Sequence, residues 1–198
     1  MLDWSAAVLA GGRGRRLDGR TKALVDVHGR TPLARQVAAL APLGVTPRLI
    51  APDVTPFAAL PYDVVADRVA AGALGALYTA VVSAPTDYVL VLAADLPFVT
   101  TAFLAALLAR RHDAQAVVPQ PAGRWQPLCG VYHREVAAAL RTRIDAGRWR
   151  VTEALDDLRV TAFTAADVAA FDPDGRLLLN LNTPDDLRLA IQLAALDG

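Results

Sequence analysis

Ala6-Ala7-Val8-Leu9-Ala10 runs without a break into Gly11-Gly12-Arg13-Gly14-Arg15-Arg16-Leu17-Asp18-Gly19-Arg20-Thr21-Lys22-Ala23-Leu24. The first five residues read as a short strand that is apolar on both faces, as strands inside a parallel sheet are. Gly11, Gly12 and Gly14 let backbone N–H groups converge with no Cβ in the way, and four arginines and Lys22 surround them. Such a nest of donors below mobile cations suits a polyphosphate. It is not a Walker A loop, because Gly19 is followed by Arg20-Thr21-Lys22 and not by Gly-Lys-Ser/Thr. Nor is it a dinucleotide fingerprint: Leu17 stands where the third glycine belongs, and no acid ends the second strand. A Gly-rich turn with solvated arginines is the plainer alternative. Five cations within ten residues of a chain with zero net charge weigh against it.

Outward from this loop, apolar runs alternate with Ala/Leu helical stretches. Strands are expected at Arg48–Ala51, Tyr62–Ala66, Tyr88–Ala94, Ala116–Pro119, Pro127–Tyr132, Arg159–Phe163 and Leu177–Leu181. Between them fall helices: Pro32–Leu43, with Thr31 as cap and Gly44 as stop; Leu74–Ala84; Thr100–Arg111; and Arg134–Ala146 before Gly147. Thr183 opens a last helix, with Asp186 three residues on completing a capping box. The alternation predicts an α/β fold, a three-layer sandwich around a mostly parallel, Rossmann-like sheet, in a single domain spanning 1–198. In such sheets ligands lie beyond the carboxyl ends of the strands, here after Ala10, Ala51, Ala66, Ala94 and Leu181.

Composition narrows the function classes. The chain has 198 residues, 54% of them hydrophobic, which excludes a disordered protein. Twenty cations balance twenty acids, which argues against nucleic-acid or anionic-membrane binding through bulk charge. Neither a membrane span nor a signal peptide is legible, so a cytosolic protein is expected. One cysteine and three scattered histidines leave no disulfide framework and no Cys/His zinc site. Nineteen of the twenty cations are arginine, which singles out Lys22 as the one compact ammonium.

Three further stretches carry chemistry. Asp95, in Ala93-Ala94-Asp95-Leu96-Pro97-Phe98, ends the most continuous apolar strand, and Pro97 turns the chain out of the sheet. A hard carboxylate beside a polyphosphate suits Mg²⁺, although a turn or cap role is an equal alternative for this residue alone. Asp67 ends another strand ahead of Gly72 and Gly75, which would let backbone approach a ligand; helix capping is its plainer role. Asn180 and Asn182 alternate in Leu179-Asn180-Leu181-Asn182-Thr183-Pro184, where turn chemistry is the stronger competitor.

Leu-Ala-Gly-Gly-x-Gly-x-Arg followed by Lys-Ala-Leu resembles the signature of the sugar- and cofactor-nucleotidyltransferases. With Asp67, the Ala-Asp-Leu-Pro-Phe stretch at Asp95, Gln126-Pro127-Leu128, Ala146-Gly147-Arg148 and the Asn-x-Asn-Thr-Pro-Asp-Asp close, the chain resembles the molybdenum cofactor guanylyltransferases from residue 6 to about 190. The resemblance implies the nucleotide-diphospho-sugar transferase fold and transfer of GMP from GTP to molybdopterin phosphate, with Mg²⁺ as cofactor. It implies that Leu9, Ala10, Gly11, Gly12 and Arg13 line the nucleotide, and that Lys22 and Arg16 meet the triphosphate. Asp67 would contact the nucleotide, Asp95 would bind the metal, and Asn180 and Asn182 would lie near the metal and acceptor. Transient contact with other proteins of cofactor biosynthesis or molybdoenzyme maturation is a further implication. The pattern departs from the family at Ala51-Pro52-Asp53, where an asparagine commonly contacts the nucleotide. Alternatives are a cytidylyltransferase of the same cofactor, a guanylyltransferase for another small phosphate such as phospholactate, and a non-catalytic nucleotide-binding protein. The last would need neither Lys22 nor Asp95.

Overall fold

Strand β1 (Trp4–Leu9) is paired on both sides and apolar along both faces, so it sits inside the sheet that the rest of the chain builds around it. The computed structural model describes residues 2–11 and 21–196. Among these, β2 (Arg48–Ala51), β3 (Val64–Ala66), β4 (Tyr88–Ala93), β5 (Ala116–Gln120), β6 (Cys129–His133) and β7 (Val160–Thr164) join β1 in one sheet, in the order β3-β2-β1-β4-β6-β5-β7. All pairings are parallel except those of β6, which runs antiparallel to β4 and β5.

Side chains alternate across the strands with period two, and each set meets a different helical layer. Ala6 and Val8 of β1 and Leu90 and Leu92 of β4 pack with Leu33 and Leu40 of α1 (Pro32–Leu40) and Phe103 and Leu104 of α3 (Thr101–Ala109). Ala7, Leu9, Val89 and Val91 pack on the other face, against Leu74 and Leu77 of α2 (Gly72–Ser83) and Leu140 of α4 (Ala137–Asp145). Each fully buried leucine here stabilises the fold by about 1.5–3 kcal/mol. A smaller third cluster joins Val25, Val27, Phe98 and Leu181 to Ala190 and Ala194 of the last helix. No helix among the described residues is long and apolar enough to cross a membrane.

The mostly parallel α/β sheet is as expected, and the caps at Thr31 and Thr183 accept the predicted backbone hydrogen bonds; of the two candidates Thr100 and Thr101, Thr100 caps α3. Four features differ. Two predicted helices begin or end in 3₁₀ turns, at Ala41–Leu43 and at Arg134–Val136. The short helices α5 (Val151–Ala154) and α6 (Ala165–Ala169) have too few residues to show a period. Leu177–Leu181 is not a strand. Its start is held in a turn, where the N–H groups of Arg176 and Leu177 donate to Asp172 Oδ1 and Leu179 N–H donates to the Arg176 carbonyl. Finally, β6 is reversed, which delivers the preceding segment, Gln126–Leu128, to the edge where the parallel strands end.

α2 packs so closely on the turn before it that a Cβ at Gly75 would lie 2.4 Å from the Val69 carbonyl oxygen. Gly75→Ala is expected to destabilise the fold by about 1–3 kcal/mol, as overpacking does. Urea unfolding checks this; an unchanged midpoint would show that the 67–71 turn yields freely.

Candidate functional site

Leu9 and Ala93, the last residues of β1 and β4, are register partners. Ala10 N–H donates to the Ile50 carbonyl, and Ala94 N–H to the Leu9 carbonyl, carrying the backbone pairing past the strand ends. Beyond this edge lies a cleft of about 280 Å³ lined by Leu9, Ala10, Gly11, Lys22, Asp95 and Asn180. Ala73 and Ala76 of α2 and the segment Gln126–Leu128 line it too, together with Val151 at the start of α5. This is where ligands of parallel sheets sit.

Lys22 is the centre of the polar contacts. Its Nζ lies 3.3 Å from Asp95 Oδ2 and donates to Asn182 Oδ1 at 2.7 Å. The three residues come from the Lys22–Leu24 turn, the β4 exit and the turn before α7 (Pro184–Ala195). Each is held from behind. Gln36, buried on the Leu33–Leu40 stripe of α1, donates its Nε2 to the carbonyls of Ala93 and Leu96 and so clamps the turn that presents Asp95. Leu181 N–H donates to the Asp95 carbonyl at 3.0 Å. Asp186 Oδ2 accepts from the N–H groups of Asn182 and Thr183, which fixes Asn182 through the helix cap. Desolvation opposes ionisation of Asp186, but these N–H groups, the Thr183 hydroxyl and Lys22 outweigh it and hold the carboxyl below the usual range.

Asp95 has chemical capacity to spare. Its Oδ1 is buried and makes no hydrogen bond among the described residues. Among the described residues, no group of three or more His, Cys, Asp or Glu side chains is gathered to cage a metal. One carboxylate with a spare hard oxygen, beside an anion site, is nevertheless the donor set that Mg²⁺ uses, with phosphates and waters completing its shell. The residues present fit that ion.

Other sequence expectations fall differently. Gly12, Arg13 and Arg16 lie outside the described residues. Asp67 stands on the same sheet edge, its N–H bonded to the Ala51 carbonyl, but it is two strands from β1 and does not line the cleft. Desolvation raises its pKa, and its Oδ1 is buried without a partner among the described residues. Asn180 lines the cleft with its Nδ2 bonded to the Leu178 carbonyl, whereas the exposed Asn182 reaches Lys22. At the departure Ala51-Pro52-Asp53, the Pro52 ring closes over Gly11. A Cβ on Gly11 would lie 2.8 Å from Pro52 Cδ, so the glycine is needed for this contact. Gln36 and Val151 were not legible as site residues, and Gln126 stood out only within the Gln126-Pro127-Leu128 stretch of the resemblance. The readable hint for Gln36 was a lone amide on an apolar helical stripe.

The chain is similar to known proteins along almost its whole length. Residues 6–159 match the family model described as the MobA-like NTP transferase domain. A protein of Chloroflexus aggregans named probable molybdenum cofactor guanylyltransferase is 37% identical over 191 residues, covering 93% of this chain and 92% of that one. The molybdenum cofactor guanylyltransferase of Cereibacter sphaeroides is 33% identical, covering 96% and 97%. Among solved structures, molybdopterin-guanine dinucleotide biosynthesis protein A from Archaeoglobus fulgidus superposes with a TM-score of 0.82 at 24% identity, over 96% of this chain and 98% of that one. The 2-C-methyl-D-erythritol 4-phosphate cytidylyltransferase of Thermus thermophilus shares the fold, with a TM-score of 0.68 at 20% identity over 96% and 98%.

Burial of Asp67 makes a prediction about pH. Its folded pKa is raised above the unfolded value of about 3.9, so the folded chain binds the proton more tightly and loses stability as pH rises through that window. Asp67→Asn removes the buried charge. The variant is expected to melt above the parent at neutral pH and together with it below about pH 3.5. Thermal scans across this range check it, and a variant that melts lower at neutral pH would show that the carboxylate is paired in solution.

Proposed function

The chain belongs to the MobA-like NTP transferase family, and from that premise we propose that it is a molybdenum cofactor guanylyltransferase formed as one nucleotidyltransferase domain. It takes GTP and molybdopterin phosphate and releases the guanine dinucleotide and pyrophosphate. The observation that carries the reading is the Lys22–Asp95–Asn182 contact, whose lysine and aspartate line a cleft at the carboxyl edge of the sheet.

In this reading a terminal phosphate oxygen of the acceptor attacks the α-phosphorus, and the α–β bridging oxygen leaves with pyrophosphate. The nucleophile is already ionised at neutral pH and needs no general base. The work left to the protein is holding two anions in line and balancing charge that moves toward the leaving group. Backbone groups of Leu9, Ala10 and Gly11 hold the nucleotide, and Lys22, with Arg16 from the preceding loop, faces the triphosphate. Lys22 is preorganised: Asp95 and Asn182 already aim its ammonium at the cleft, so little reorganisation remains at the moment of transfer. Asp95 Oδ1 is the residue oxygen that would hold Mg²⁺, with Asn180 at hand in the cleft, and the ion would supply charge neutralisation at the phosphates. Asp67 contributes a desolvated carboxylate on the nucleotide side of the edge.

Pyrophosphate release with each of the four nucleoside triphosphates, with molybdopterin as acceptor, tests the assignment. GTP alone should support turnover; equal turnover with CTP would overturn the guanine assignment. Lys22→Ala is expected to lose about 10²–10³ in rate, the effect of one preorganised donor, and Lys22→Arg to recover only part of it, because the planar fork differs from a point charge. Asp95→Asn should lower transfer steeply, with partial recovery as Mg²⁺ is raised. Normal turnover of that variant at low Mg²⁺ would make Asp95 a turn residue only.

A further inference from the structure

Two of the chain's three tryptophans, Trp125 and Trp149, lie within two residues of Gln126 and Val151, which line the cleft across from Lys22. Next to Lys22, Ala23 and Leu24 join the core under α1 and α3, whereas Trp125, Leu128 and Val151 pack into the core under α2 and α4. The two walls of the cleft therefore belong to opposite faces of the sheet, with Asp95 at the edge between them. An in-line displacement needs its nucleophile on the side opposite the leaving group. With pyrophosphate on the Lys22 side, the acceptor comes in over Gln126–Leu128 and Val151. That stretch of wall has no cation and no exposed ring of its own among its lining residues.

Trp149 supplies the ring. It is 52% exposed, yet it is not loose. Its Nε1 donates to the Ile144 carbonyl at 3.3 Å, and the neighbouring Arg148 N–H donates to the Arg143 carbonyl at 3.0 Å. The buried Arg143 then fastens α4 to the α5 segment through Asp157 at 2.8 Å and Glu153 at 3.4 Å. Val151, on the cleft wall, is two residues further along, at most about 7 Å of chain. An indole pinned at its nitrogen, with its ring surface in water and arginines on both sides in sequence, is suited to stacking with a flat heteroaromatic ring. The flanking guanidinium groups add donors for carbonyl and ring-nitrogen acceptors.

We propose that Trp149 is the stacking platform for the planar ring of the acceptor, holding it at the rim while its phosphate reaches into the cleft. The assignment rests on the reading that the acceptor is a pterin phosphate. It makes Trp149 a determinant of acceptor specificity, with no part in binding the nucleotide.

Steady-state kinetics with GTP and molybdopterin separate these roles. Trp149→Ala is expected to raise the KM for molybdopterin about tenfold and leave the KM for GTP unchanged, and Trp149→Phe, which keeps a stacking ring, to restore most of the loss. An unchanged acceptor KM in Trp149→Ala, or an equal rise in both KM values, would overturn the platform. If the unmodified protein fails to turn over molybdopterin, the proposed reaction is lost, and equilibrium dialysis with pterin-6-carboxylate then decides the platform alone. Binding that is present in the unmodified protein, absent in Trp149→Ala and restored in Trp149→Phe supports it. No binding by the unmodified protein refutes it.

Discussion

One ammonium shared between a carboxylate and an amide organises this molecule. Lys22 has to meet Asp95 and Asn182 together, and those partners lie 73 and 160 residues away in the chain. Much of the surrounding architecture serves that meeting. The parallel pairing of β1 with β4 sets Ala10 and Gly11 beside the Asp95 turn, Gln36 fixes the turn from below, and the cap of α7 fixes Asn182. A lysine left unpaired there would be a mobile stem with many rotamers. Paired, it is aimed, at the cost of side-chain entropy already lost during folding.

The fold was legible to the extent that local chemistry determines it. The bounds of β2 and the caps at Thr31 and Thr183 follow from residues within a turn of each other. Strand direction does not. A strand buried on both faces reads the same in either orientation, so the reversal of β6 left no trace in its own composition. Leu177–Leu181 misled for a related reason. Its buried ends, Leu177 and Leu181, fit a strand pattern but pack into two different clusters as a loop.

The candidate site divides in the same way. Lys22, Asp95 and the asparagines were visible because their residue types are out of place where they stand: a lone lysine among arginines, an acid closing an apolar strand. Val151 is an ordinary residue whose place at the cleft is purely positional, and Gln126, marked only by the resemblance of its stretch, is brought there by the reversal of β6. Asp67 shows the opposing pull of stability and function. A buried carboxylate oxygen without a partner weakens the fold at neutral pH, and such groups persist where a ligand gives them a use.

The position of Asn182 also has a meaning in time. Proteins are synthesised from the amino terminus, and the phosphate loop, Asp95 and most of the sheet emerge well before the turn that precedes α7. Until that turn and its capping acid leave the ribosome, Lys22 lacks its second partner and the Asp95 carbonyl lacks the Leu181 N–H. The contact around Lys22 is thus completed by an element made after every strand of the sheet. A nascent chain therefore carries Lys22 and Asp95 through the synthesis of the whole sheet before the lysine gains its second partner.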